Sequence, residues 1–204
     1  MRPTAAEMAF CSAPSVYIPD PGGGVATDTI VISPQHGTIA DLDVYLNVLH
    51  SYVGDLCFKL EKVGQVGPVT IINRPGAPVT TYGCCNDNYS VRVNDEGIHG
   101  NIETQCDPSP LAISGDRVGG DPPGAVLSAF DGASIAGDWI LSVEDHAGAS
   151  TGHLMEWCVI PTLADPEHDH WEEVWSGSGT GLRLTSADDT ALKGGSLAHS
   201  GITF

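Results

Sequence analysis

Six cysteines, Cys11, Cys57, Cys84, Cys85, Cys106 and Cys158, carry the best-defined chemistry in this sequence. None forms a C-x-x-C pair, which argues against a zinc knuckle or a thioredoxin-like redox site. An even number in an acidic, Gly- and Pro-rich chain points instead to disulfides and an oxidising compartment, and so to a secreted, extracellular protein. Oxygen-rich loops come second. Asn86-Asp87-Asn88, Asn94-Asp95-Glu96, Asp55 and Asp145 offer carboxylates and amides on turns. Calcium takes about six to eight such oxygens. Asp55, Asp87, Asp95, Glu96 and Asp145 are therefore the expected Ca2+ ligands, although no EF-hand spacing is present. The competing reading is that Asp55 and Asp145 cap turns by accepting from backbone N–H groups.

Other groups are weaker. His36-Gly37-Thr38 matches three letters of a subtilisin-type His segment, but no aspartate or G-T-S nucleophile segment accompanies it. No catalytic residue is assigned, and the chain reads as a non-enzyme. Glu167-His168-Asp169-His170 offers imidazoles and carboxylates without the fixed tetrahedral set that zinc needs. Asn88-Tyr89-Ser90 is the one N-x-S/T sequon. Trp139 and Trp157 read as core; Trp171 and Trp175 sit four apart in the tail.

The elements that must hold these residues are strands. Leu42, Val44, Leu46 and Val48 alternate with Asp41, Asp43, Tyr45 and Asn47, the period of a half-buried strand. After the break His50–Asp55, Leu56, Phe58 and Leu60 alternate with Cys57 and Lys59. The two runs suggest an antiparallel pair. Trp139, Leu141 and Val143 alternate likewise, and with Leu154–Ile160 they suggest a hairpin around a polar loop. Thr29–Ser33 and Val69–Ile72 read as further strands. From Arg74 to Pro123 the chain is long and polar, with only Tyr89–Val93 periodic, so it reads as a functional or cross-linked insertion. No convincing helix appears.

The net charge of −18, from Lys+Arg 8 against Asp+Glu 26, excludes the basic surface that nucleic acid needs. No run of about 18 apolar residues exists to span a membrane as a helix. Met1-Arg2-Pro3-Thr4 opens no apolar signal segment.

Taken together, several blocks resemble the P domain (P/Homo B domain) that follows the catalytic domain of kexin- and furin-like proprotein convertases and recurs in secreted bacterial proteins. The blocks are Ile18–Asp20, Ile39–Val44, His50–Leu56, Asn73–Gly76, Asn94–Gly97, Leu127–Gly132, Gly137–Asp145 and Gly152–Cys158. Ser150 stands where a bacterial member would often carry Asp. The resemblance implies a jelly-roll sandwich and a non-catalytic role, stabilising a neighbouring protease domain or serving as an extracellular module.

The expected architecture is all-β: a jelly-roll-like antiparallel β-sandwich over 16–162, a lead over 1–15, a disulfide-stapled insertion and a Gly/Ser/Asp-rich tail over 163–204. Terminal strands of such a sandwich lie close, which suggests Cys11–Cys158. Cys84 or Cys85 with Cys106 would close the insertion, leaving Cys57 for the other. In the tail, Leu182, Leu184, Ile202 and Phe204 suit a strand that enters a neighbouring subunit, giving a homo-oligomer or filament. The alternative is an accessory domain whose partner is a subtilisin-like protease domain.

Overall fold

The computed structural model describes residues 1–164, apart from 22, 35–36, 78–79, 109, 121–123 and 125, and the backbone of 172–173 and 184–185. It divides into two compact units, Met1–Ala164 and Asp165–Phe204. His36 and the tail residues Leu182, Ile202 and Phe204 lie outside the described residues, as does the side chain of Leu184.

The first unit is an all-β sandwich. Its strands are β1 (Phe10–Ser12), β2 (Val16–Ile18), β3 (Ala26–Ile32), β4 (Ile39–His50), β5 (Leu56–Lys62), β6 (Val66–Asn73), β7 (Tyr89–Val93), β8 (Ile113–Arg117), β9 (Gly137–Asp145) and β10 (Gly152–Leu163). One sheet runs β1-β10-β4-β7-β8, with β2 also beside β10; the other runs β3-β9-β5-β6. Every pairing is antiparallel except β7–β8. In the second unit, β11 (Glu172–Glu173) pairs with β12 (Leu184–Thr185).

The alternating residues behave as their period requires. Leu42, Val44, Leu46 and Val48 of one sheet and Phe58, Leu60, Trp139, Leu141 and Val143 of the other share a single buried core. Burying each large apolar side chain contributes about 1.5–3 kcal/mol relative to exposure. The indoles keep their polar edge satisfied. Trp139 Nε1 donates to the Ile135 carbonyl at 2.9 Å, and Trp157 Nε1 donates to Asp28 Oδ2 at 2.7 Å.

The expected strand pairs are not formed. β4 pairs with β10 and β7, whereas β5 pairs with β6 and β9. β9 and β10 likewise belong to different sheets. Both connections are corners where the chain changes sheets. Each strand's apolar row faces its neighbour in sequence across the core. A short polar link serves such a corner as well as a hairpin, and local sequence does not distinguish the two. The insertion also holds a strand, β8, that its sequence (Ile-Ser-Gly-Asp-Arg) hides behind a glycine and two charges.

Residues 1–15 are part of the sandwich. β1 lies on β10, where Cys11 faces Cys158 and bonds to it with the Cα atoms 4.1 Å apart. Ala9 packs on Tyr45, Cys158 and Ile160, which are buried on the outer side of the β4 sheet. Cys84 bonds to Cys106. The third bridge is not made: Cys57 is a buried thiol and Cys85 an exposed one. β5 holds Cys57 between Asn73 and Glu144, while Cys85 lies on an exposed irregular segment.

On the same outer side, Arg92 Nη1 reaches Glu7 Oε1 at 2.8 Å and Asp43 Oδ2 at 3.4 Å. The two carboxylates respond oppositely. The Arg92 hydrogen bond, with further bonds from Thr4, holds Glu7 down to about 2. Burial, only partly offset by Arg92 and reinforced by Asp41, Asp116 and Glu96, pushes Asp43 up to about 7. A carboxyl whose folded value is raised favours the fold while protonated; that contribution is lost as pH rises from its ordinary value through about 7. Asp43→Asn is therefore expected to be more stable than the parent at pH values above about 7, and its stability should fall less between about pH 4 and 7. Urea midpoints across that range check this, and parallel profiles for the two proteins would refute it.

Candidate functional site: the paired corners

The two sheet-changing corners meet at one end of the sandwich. His50 ends β4 at the next inward position after Leu42, Val44, Leu46 and Val48. Asp145 ends β9 at the next inward position after Trp139, Leu141 and Val143. The last inward residue of each core row is thus ionisable, and the two meet: His50 Nε2 lies 3.1 Å from Asp145 Oδ2, with both side chains fully buried. His50 Nδ1 lies 2.9 Å from the Tyr52 carbonyl oxygen and 3.2 Å from the Tyr52 amide nitrogen. Asp145 Oδ1 accepts from the Ala147 N–H at 2.9 Å.

Backbone bonds extend the clamp. His146 N–H donates to the Asp55 carbonyl at 2.9 Å, Val53 N–H to the Asn86 carbonyl at 3.0 Å, and Gly54 N–H to the Cys84 carbonyl at 2.8 Å. Tyr89 Oη donates to the Val53 carbonyl at 2.5 Å. The contacts are close enough to demand glycine at two places. A Cβ on Gly54 would lie 2.3 Å from the Cys84 nitrogen, and one on Gly152 would lie 2.4 Å from His50 Cδ2. Neither neighbour can yield without breaking the clamp.

The five expected calcium ligands fall in different places. Asp55 is buried in the 3-10 turn Val53–Asp55, where burial first and then the charge of Asp145 raise its carboxyl. Asp145 is engaged by His50. Asp87 lines a shallow polar cleft of about 240 Å³ beside the clamp, with Leu49, His50, Ser51, Asn88, Thr151, Gly152 and His153. Asp95 accepts from Leu127 N–H at 3.1 Å and from Ser128 N–H and Oγ, both at 2.7 Å; it caps the 3-10 turn Leu127–Phe130. Glu96 is exposed on the loop after β7. Among the described residues, the only trio of His, Cys and acidic ligand atoms within reach of one ion is Cys11, Glu156 and Cys158, and two of these form a disulfide.

Chemically, a base must turn one ring nitrogen toward a nucleophile. His50 has both nitrogens occupied by Asp145 and Tyr52, inside the protein. The dyad works as a clamp. The sequence sets His50 in the break after the first strand run, whereas the parity of β4 marks it as inward.

No family model and no curated protein matches the chain. Solved structures similar to it include two from Aeromonas sobria. The serine protease of Aeromonas sobria is 13% identical, with 76% of this chain and 26% of that chain covered and a TM-score of 0.42. The same protease in complex with its chaperone (ORF2) is 16% identical, with 77% and 26% covered and a TM-score of 0.44. This chain spans about a quarter of the length of those chains.

Removing one member of a buried pair leaves the other unpartnered. His50→Ala is expected to cost about 3 kcal/mol of stability, and a double-mutant cycle with Asp145→Ala should show coupling of about 1–3 kcal/mol. Equilibrium urea unfolding measures both. Additive losses would mean that the two side chains do not act together.

Proposed function

We propose that the chain is a non-catalytic, secreted β-sandwich module that acts as a structural or assembly subunit. The observation that carries this reading is the use made of the reactive side chains. His50 and Asp145 are buried in the corner clamp, and Asp95 caps a turn. Two disulfides, each binding surface segments to the sandwich, support an oxidising compartment. Assembly is assigned to the tail, where Leu182, Leu184, Ile202 and Phe204 would fill alternate pockets beside a neighbour's sheet. β3 is an edge strand of its sheet, with the backbone groups of one side available to pair. Repeated head to tail, such a contact builds a filament.

A second reading makes the module an accessory to a subtilisin-like catalytic domain. It is favoured by where the sequence blocks of the P-domain resemblance fall. Ile39–Val44 and Gly137–Asp145 lie in β4 and β9, each flanked on both sides within its sheet. Light scattering of the full chain separates the two. Assembly predicts species larger than a monomer that dissociate on dilution and are abolished by Leu182→Glu with Ile202→Glu. A monomer at all concentrations would sink it. The accessory reading then requires a higher melting temperature for a subtilisin-like catalytic domain when fused to this chain.

Calcium is the remaining part of the proposal, with Asp87 and Glu96 as the loop donors outside the capped turns and the corner clamp. A calcium-stabilised module should melt lower in EGTA and recover on adding Ca2+; an unchanged midpoint removes the ion from the account.

A further inference from the structure

Three cysteines share the staple of the 74–123 region, and only two of them are bonded. Cys84 is almost fully buried and bonded to Cys106; its chain neighbour Cys85 is an exposed free thiol. Cys106 is itself exposed. Both residues flanking Cys85 touch Cys106: Cys84 through the disulfide, and Asn86 through Nδ2, 3.5 Å from Cys106 Sγ and 3.0 Å from the Asp107 carbonyl oxygen. The stretch 84–86 therefore runs against 106–107. The Cα atoms of Cys84 and Cys106 are 5.3 Å apart. With consecutive Cα atoms about 3.8 Å apart, that of Cys85 lies within about 9 Å of that of Cys106. A disulfide needs about 7 Å or less, so a backbone shift of about 2 Å at most brings Cys85 within range.

We propose that this trio is a thiol–disulfide exchange site, in which Cys85 displaces Cys84 from Cys106. Cys85 loses its proton to solvent, and its thiolate attacks Cys106 Sγ. The Cys85–Cys106 bond forms as the Cys84–Cys106 bond breaks. The electron pair leaves on Cys84 Sγ, which takes a proton from solvent. One disulfide and one thiol are present before and after, so no oxidant or reductant is consumed. The Asn86 amide points its N–H at the sulfur under attack. The backbone of 84–86 is held by Cys84 N–H to the Pro75 carbonyl, Gly54 N–H to the Cys84 carbonyl and Val53 N–H to the Asn86 carbonyl, so the shift that closes the remaining gap falls on the exposed Cys106 side. In one isomer the free thiol is displayed at the surface on Cys85; in the other it is withdrawn onto buried Cys84. The site thereby shows or hides a nucleophilic sulfur at constant oxidation state.

The test uses the full chain. Cys84→Ser, refolded in a reduced/oxidised glutathione buffer, should form Cys85–Cys106 and leave no thiol reactive toward Ellman's reagent in the folded protein. Only Cys57 should react after denaturation. Reactive Cys85 and Cys106 in the folded variant, or a disulfide-linked dimer on a non-reducing gel, would overturn the proposal. The parent protein supplies the deciding measurement should the variant not fold. Held at about pH 8, where thiolate accumulates, then quenched in acid, unfolded in denaturant, labelled with a maleimide and fragmented by electron transfer, it should carry label on both Cys84 and Cys85 besides Cys57. Label on Cys85 and Cys57 with none on Cys84 excludes the exchange.

Discussion

The fold depends on burying an imidazole and a carboxylate at the end where both sheets are joined. An unpaired ionised group there would cost several kcal/mol, so His50 and Asp145 must meet for either corner to close. The arrangement satisfies His50 in two states. When the ring is neutral with hydrogen on Nε2, Nδ1 accepts from the Tyr52 N–H; when it is protonated, Nδ1 donates to the Tyr52 carbonyl. Asp145 stays an acceptor throughout, with His50 on one oxygen and Ala147 on the other. The pair ties β4 to β9, strands of different sheets, and so fixes where each chain crossing occurs. Gly54 and Gly152 follow from that closeness, since a side chain at either would meet the clamp.

How much of this was legible in the sequence depends on how local each feature is. Strand positions followed from the period of two, and the core rows of β4, β5 and β9 are those that alternation picks out. Strand partners did not follow. A run of inward Leu and Val specifies a face but not a neighbour, and the six residues from His50 to Asp55 suit a hairpin or a corner equally. The corner becomes visible only when two inward ionisable residues, almost a hundred positions apart, are recognised as ends of rows that must satisfy each other. β8 was hidden for a different reason. Its Gly-Asp-Arg end has weak strand propensity, and it is an edge strand, paired only to β7 and in parallel.

The outer face of the β4 sheet teaches the same lesson about charge. Asp43 and Tyr45 occupy positions that alternation assigns to solvent, yet both are largely buried because residues 1–15 lie over them. A lead of mixed composition gives no sign of this. Its hold comes from separate links: the Cys11–Cys158 bond, Arg92 to Glu7, and Arg2 to Glu156. The disulfide's closed segment, with a sequence separation of 147, encompasses most of the sandwich. In the chain-entropy picture it constrains the unfolded state more than a short loop would. The cover also desolvates Asp43 beside Arg92, and this is why one guanidinium can depress Glu7 while its other neighbour stays raised.

An acidic composition invites metal sites, and here it shows why composition alone cannot place them. Many of the carboxylates accept hydrogen bonds inside the fold. Asp28 receives the Trp157 indole, Asp95 receives a turn, Glu103 receives the Asn73 N–H at 2.7 Å, and Asp145 receives His50. A carboxylate has more acceptor sites than any other side chain, and here Asp and Glu share the work of accepting backbone N–H groups with Asn88, Asn94, Asn101 and Gln105. Each such use removes lone pairs from a cation. The loops that retain free carboxylates, around Asp87 and Glu96, are those outside the corner clamp and the core. A cation held by Asp87 and Glu96 would sit at the surface, apart from the corners that the His50–Asp145 pair joins.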